Sequence, residues 1–411
     1  MKGIQFTPKP FKNQVVTSSC ISKIIDLKGI SNFTEMCSLH SEPFKNTTMK
    51  LRIFSVAILL NCLFHVQSQA QFRKYSNDFL NIGVGARALG MSSAQVASVD
   101  DVTSGYWNPA GLLSITDNMQ IGAMHSEYFA GIAKYDYGAF AKPLTDKTKA
   151  IGLSIIRFGV DDIPNTLFLK NPDGSINYDN ITSFSVADYA FIGSFASTTS
   201  IKGLNWGVNA KIIHRTVGDM AHSWGIGADV GAQYTMKNWK FGFMAKDITT
   251  TFNAWSFTFT DEQAAALLAA DNVVPTSSTE LTAPKFILGG TYDYKINDKF
   301  SVNPELNIAL TTDGKENVLI PSKFLSVDPK LGVEANYMKT IYLRAGIGNF
   351  QKRKNDLNNG NIFMAQPNIG VGLHIKKIMI DYALTNVGNF SSSLYSNVFS
   401  LRLSLNNKTQ P

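Results

Sequence analysis

Trp224-Gly225-Ile226-Gly227-Ala228-Asp229-Val230-Gly231-Ala232-Gln233-Tyr234 is the stretch that decides the fold. Its apolar residues, Trp224, Ile226, Ala228, Val230, Ala232 and Tyr234, alternate with Gly225, Gly227, Asp229, Gly231 and Gln233. A strict period of two is the signature of a β-strand with one apolar face. Trp224 and Tyr234 bracket that face, which spans roughly 33 Å at about 3.3 Å per residue. Tilted by about 40°, such a strand covers roughly 25 Å of membrane normal, with an aromatic residue at each lipid–water interface. A strand of a soluble sandwich averages about half that length.

The pattern recurs outward from this stretch. Leu204, Trp206, Val208, Ala210 and Ile212 alternate with Asn205, Gly207, Asn209 and Lys211. Phe300, Val302, Pro304, Leu306 and Ile308 alternate with Ser301, Asn303, Glu305, Asn307 and Ala309. Charges on the second face require a polar interior, since a sandwich core would leave Lys211 and Glu305 buried and unpaired. About fourteen such segments are predicted, starting near Met119, Ile132, Ala150, Phe184, Gly203, His222, Trp239, Lys285, Phe300, Leu331, Ile341, Asn368, Ile378 and Val398. An even number lets a barrel close with both ends on the periplasmic side. Connections after even-numbered segments are short, as at Lys237-Asn238 and Lys376-Lys377. The long ones, near Gly159 to Ser183, Thr249 to Pro284, Thr311 to Pro329 and Gln351 to Pro367, all follow odd-numbered segments. That sorting fits short periplasmic turns and longer outer loops, although two odd connections, near Tyr128 and Gly218, are short. Within the longest loop, Asp261 to Ala270 has helical composition and an acidic start.

Composition agrees: 44% of the residues are hydrophobic and only 17% charged, with 27 Phe, 14 Tyr and 31 Gly. No apolar run after Ala70 reaches the roughly 20 residues that a transmembrane helix requires. Upstream, Met49-Lys50-Leu51-Arg52, the apolar run Ile53 to Phe64 and Ser68-Gln69-Ala70 form a complete signal peptide over residues 49–70, cut after Ala70. Residues 1–48 are then expected to be a mis-assigned N-terminal extension ahead of the true start at Met49. Cys20, Cys37 and Cys62 all precede the cut, so the mature chain has no thiol chemistry. Asn61 is bulky for a lipoprotein acylation box at Cys62. The formal charge of +7 shrinks too, because residues 71–411 carry 30 Lys and Arg against 28 Asp and Glu. Near-balance gives no reason to invoke nucleic acid.

Enzymatic signatures are missing. His125, His214, His222 and His374 show no metal-type spacing, and there is no nucleophile elbow, phosphate loop or Cys/His cluster. His214, His222 and Ser223 flank a short loop, but strand neighbours point to opposite faces. No catalytic residue, metal or cofactor is expected.

The segment before the first strand breaks the rhythm. Phe79 to Met91 contains Gly85, Arg87 and Gly90; Val96 to Asp101 ends in Asp100-Asp101; Tyr106 to Leu112 contains Trp107, Asn108, Pro109 and Gly111. It is rich in Gly and Ala and too apolar to dangle in the periplasm, so residues 71–117 read as a plug inside a barrel formed by 118–411.

This segment resembles the N-terminal signature of the PorV/PorQ family of Bacteroidota outer-membrane proteins, which is distantly similar to the FadL fatty-acid transporters. The shared pattern is a Gly-Ala-Arg-Ala-x-Gly-Met-like start, an acidic pair and an aromatic-Asn-Pro-Ala-Gly element. Ile380 to Ala383 and a final strand around Phe399 to Leu405 fit the family as well. The resemblance implies a plugged fourteen-stranded barrel in a Gram-negative outer membrane. It further implies a non-enzymatic binding or shuttling role in type IX secretion, with outer-membrane lipid and secreted proteins bearing a C-terminal sorting domain, or secretion-system components, as partners. The alternative is a FadL-like transporter of hydrophobic small molecules. That reading requires apolar inward residues near the outer rim, whereas the inward faces legible in the sequence carry Gly, Asn, Ser and charges, including Lys211, Asp229, Glu305 and Arg344.

Overall fold

In a computed structural model the described residues are 71–405, apart from 73–75, 129–130, 145, 172, 355–359 and 388–394. The leader over 49–70 and the extension over 1–48 lie outside them. Among the described residues fourteen strands close into an antiparallel barrel. They are β1 Met119–Tyr128, β2 Ala133–Pro143, β3 Lys149–Asn165, β4 Thr182–Thr198, β5 Leu204–Val217 and β6 Ala221–Met236. Strand β7 runs Trp239–Lys246 and resumes at Thr251–Phe257, while β8 runs Ser277–Thr282 and resumes at Lys285–Tyr292. The rest are β9 Phe300–Thr311, β10 Ser326–Tyr337, β11 Ile341–Lys354, β12 Asn361–Ile375, β13 Ile378–Thr385 and β14 Ser396–Leu405. Closure is made by β14 against β1, in register from Leu405↔Met119 to Asn397↔Glu127. No helix among the described residues is long and apolar enough to cross a membrane. The spanning units are strands whose backbone groups are satisfied by neighbours, the alternative to a helix in lipid.

Alternation sets the two faces. On β6, Trp224, Ile226 and Val230 point outward and Ile226 is 66% exposed, while Ser223, Asp229 and Gln233 are buried inside. On β9, Phe300, Pro304 and Leu306 face out and Glu305 and Asn307 face in. His214 stacks on outward Trp224 at 4.1 Å, whereas Ser223 is buried, so that pair shares no site.

Several outer loops are shorter than the sequence pattern suggests. β3 continues to Asn165, β4 starts at Thr182, β10 at Ser326 and β12 at Asn361. These extensions lose apolar alternation because they rise above the lipid band, where hydrogen-bonded hairpins need no apolar face. The Thr249 to Pro284 region is likewise partly strand. It carries the expected helix at Asp261–Ala269, with a capping box between Thr260 and Gln263.

Candidate functional site

Residues 76–118 fill the lumen. Two short helices, α1 Ala86–Gly90 and α2 Ser104–Trp107, and 3-10 turns at Asp78–Asn81 and Pro109–Ser114 supply the regular structure of this plug. At the loop end of the barrel the two-residue strand Gln71–Phe72 lies parallel to Glu280–Leu281 of β8. Asn77 Nδ2 donates to Thr282 Oγ1 at 2.8 Å nearby. The chain therefore enters at the outer mouth and leaves at the periplasmic end, where β1 begins.

Each residue singled out in the sequence has a structural reason. Gly85 adopts φ 84°, and its N–H meets Met124 Sδ at 2.9 Å. A Cβ at Gly90 would come within 3.0 Å of the Gly370 backbone, and one at Gly111 within 2.5 Å of the Val99 carbonyl. Trp107 Nε1 donates to Val84 O at 2.9 Å, and its ring meets Tyr106 edge-on at 4.8 Å. Asn108 is fully buried; its Oδ1 accepts from Ala110 N, while Nδ2 donates to Val96 O in the plug and to Ala232 O on β6, both at 3.0 Å. Pro109 packs against the wall where Gly207 and Gly231 leave room, since a Cβ on either would fall within 2.8 Å of it.

Charges fasten the plug. Arg87 Nε and Nη2 reach both Glu334 oxygens at 3.0 and 3.2 Å, and Nη1 meets Asp100 at 2.6 Å. Glu334 also binds Arg344 at 2.7 Å, and Arg344 binds Asp381 at 2.7 Å. Asp101 accepts from Thr103 N and Oγ1 and pairs with Arg402 at 2.5 Å. Burial alone would raise the Asp101 carboxyl, but the Arg402 and Arg87 guanidiniums hold it below the usual carboxylate range.

The polar interior that the inward charges require is supplied by partners within the protein. Glu305 accepts from Ala97 N and Ser98 N of the plug at 2.8 and 3.1 Å. Lys211 pairs with Asp229 at 2.6 Å and Asp247 at 2.5 Å. These groups are compensated by partners rather than water. Open space is found below the plug, in a cavity of about 320 Å³ toward the periplasmic turns, lined by polar groups including Arg87, Asp100, Lys240, Asn303, Glu334 and Lys339.

The polar reading of the inward faces missed a second feature. On β1 to β5 the inward residues Met124, Tyr135, Tyr137, Ile156, Ile192 and Ile213 are buried in one cluster with Phe79, Leu80, Val84, Trp107 and Leu112 of the plug. Tyr128 and Phe158 pack against it. Gly, Ser and Ala between these positions mask the run in a one-dimensional scan. Gln233, whose Nε2 donates to Val99 O at 3.0 Å, was also missed because a polar residue facing a lumen reads as solvated.

These features define a class: a closed, fourteen-stranded, transmembrane β-barrel of the outer-membrane type, with its own N-terminal segment lodged in the lumen. Among solved structures, the chain is similar to CymD, a monoaromatic hydrocarbon channel, at TM-score 0.52 and 13% identity, covering 79% of this chain and 98% of CymD. It is similar to the Pseudomonas putida toluene transporter TodX at TM-score 0.50 and 12% identity, covering 79% and 98%. A Pseudomonas aeruginosa FadL homologue aligns at TM-score 0.45 and 12% identity, covering 78% and 97%. At such identities the likeness is one of fold. No protein-family model and no curated protein matches the sequence.

Proposed function

We propose that this barrel admits small hydrophobic molecules through the outer membrane, acting as a channel rather than an enzyme. The observation that carries the reading is the apolar inner wall of β1 to β5, buried in one cluster with residues of the plug segment, Phe79, Leu80 and Val84 among them. Were that segment to move, the vacated space would be an apolar pocket with a few polar groups, the usual make-up of a small-molecule site. Beneath it the polar cavity opens toward the periplasm. The fold likeness to a monoaromatic hydrocarbon channel and a toluene transporter supports the same class of cargo. Uptake of radiolabelled toluene by intact cells with and without the gene tests it; equal uptake in the two strains would remove this reading.

A second reading is favoured by the plug motif and by the outer hairpin of β3 and β4. Each strand has 17 residues, enough for roughly 43 Å of height at about 40° tilt, well beyond the roughly 25 Å apolar band. The hairpin stands above the membrane with Ile176 and Tyr178 exposed near its tip. It suits a PorV/PorQ-type role in holding secreted proteins with a C-terminal sorting domain. Intact surface delivery of such proteins after deletion of the gene would exclude that role.

A further inference from the structure

Four tyrosines, Tyr106, Tyr128, Tyr135 and Tyr137, pack into one apolar cluster of the lumen. Three are committed. Tyr106 donates to Leu80 O at 2.5 Å; Tyr137 lies 3.3 Å from Val102 O and 3.1 Å from Ser154 Oγ; Tyr128 bonds to Ser126. Tyr135 is different: it is fully buried, and its hydroxyl has no hydrogen-bond partner among the described residues. Its ring is wedged edge-on between Tyr128 at 6.3 Å and Phe158 at 6.1 Å, which holds the hydroxyl in one direction. A buried hydroxyl without a partner is rare in a folded protein and calls for an explanation.

We infer that the molecule admitted by this pore carries one hydroxyl or carbonyl on an otherwise apolar, aromatic body, and that the Tyr135 hydroxyl binds it. The inference rests on the transport reading above. Lifting the Phe79 to Val84 segment would also release Tyr106 from Leu80 O, freeing a second hydroxyl in the same apolar cluster. The inward residues nearest Tyr135, among them Met124, Ile156, Phe158 and Ile192, are uncharged, while the charges at the margin are engaged: Asp188 pairs with Arg215 at 2.8 Å and Lys246 Nζ sits over the Tyr106 ring at 3.8 Å. A neutral guest with a single polar atom fits that lining.

The test compares p-cresol with toluene, two molecules that differ by one hydroxyl. Isothermal titration on the purified full-length barrel, wild type and Tyr135→Phe, gives the affinities, and uptake by intact cells gives the flux. The expected result is tighter binding of p-cresol than of toluene by wild type, with about a tenfold loss for p-cresol alone in the variant, the scale of one hydrogen bond. Tyr135→Phe removes an unpaired hydroxyl, so its thermal unfolding midpoint should equal or exceed that of wild type, which keeps folding out of the comparison. Equal p-cresol affinity in the two proteins overturns the role of Tyr135 and leaves toluene uptake, and with it the transport reading, standing. Failure of both molecules to bind or enter overturns the transport reading itself.

Discussion

Arg87 in the plug and Glu334 on β10 form a two-pronged ion pair, with contacts of 3.0 and 3.2 Å to both carboxylate oxygens, and both side chains are largely buried. Planar guanidinium against planar carboxylate fixes direction as well as distance, so the pair orients helix α1 against the wall. Removing one member of a buried pair costs about 3–5 kcal/mol because the other is left uncompensated. Glu334→Gln removes the shared carboxylate and leaves Arg87 with Asp100 and Arg344 with Asp381, so the cost is expected at the lower end of that range. The substitution should lower the temperature at which the barrel changes mobility in heated gel samples and raise its conductance in planar bilayers. Unchanged conductance would show that the latch does not hold the plug.

Asp101 should make plug seating sensitive to acid. Its folded carboxyl is depressed by Arg402 and Arg87, so its contribution is complete above the unfolded value of about 3.9 and is lost as pH falls through the lower folded value. Conductance in planar bilayers should therefore stay constant as pH falls to about 5 and rise only below about pH 4. Asp101→Asn should flatten that acid transition.

Asn108 offers a sharper test of the plug–wall seam. Asn108→Ala leaves the Val96 and Ala232 carbonyls without this donor in a buried place, at about 1–3 kcal/mol. Asn108→Asp should be worse, because a carboxylate then faces two carbonyl oxygens. Thermal midpoints ranked wild type, Ala, Asp are expected; a midpoint for Asp equal to wild type would contradict the assignment.

Wall glycines divide into two kinds. A Cβ at Gly346 would lie 2.3 Å from the Met91 backbone, whereas one at Gly138 or Gly193 meets nothing within 4 Å. Gly346→Ala should displace α1 and expose the plug to protease, and Gly138→Ala and Gly193→Ala should behave as wild type.

Lipid exposure separates the two faces of the chain. Leu153 on β3 is 62% exposed within the apolar band, and Val273 is 88% exposed in an outer loop. Leu153→Arg should destabilise the barrel by about 2–4 kcal/mol in lipid refolding titrations. Val273→Arg should fall within about 0.5 kcal/mol.

The wall was largely legible because a membrane imposes a one-dimensional rule: residues such as Ile226 and Leu306 must face lipid at every second position, and one strand suffices to show it. All fourteen strands follow from that rule, with errors at the outer ends, where Asn361 to Gln366 are paired but face water and the rule lapses. The plug was legible as a close-packed segment from its glycines. Its partners were not, because Glu334, Gln233 and Gly346 are distant in sequence from Arg87, Val99 and Met91, and nothing local marks a lumen residue as paired. The apolar patch around Tyr135 escaped for the related reason that it is assembled from one or two residues per strand.

The parallel pairing of Gln71–Phe72 with Glu280–Leu281 bears on how the molecule is made. The segment runs from the outer mouth through the ring to the periplasmic start of β1, and β1 is the strand on which β14 closes the ring. A closed ring could acquire that segment only by drawing it through a lumen lined with inward side chains. Assembly therefore favours zipping the last seam around a plug already in place, with the cork present before the bottle is finished.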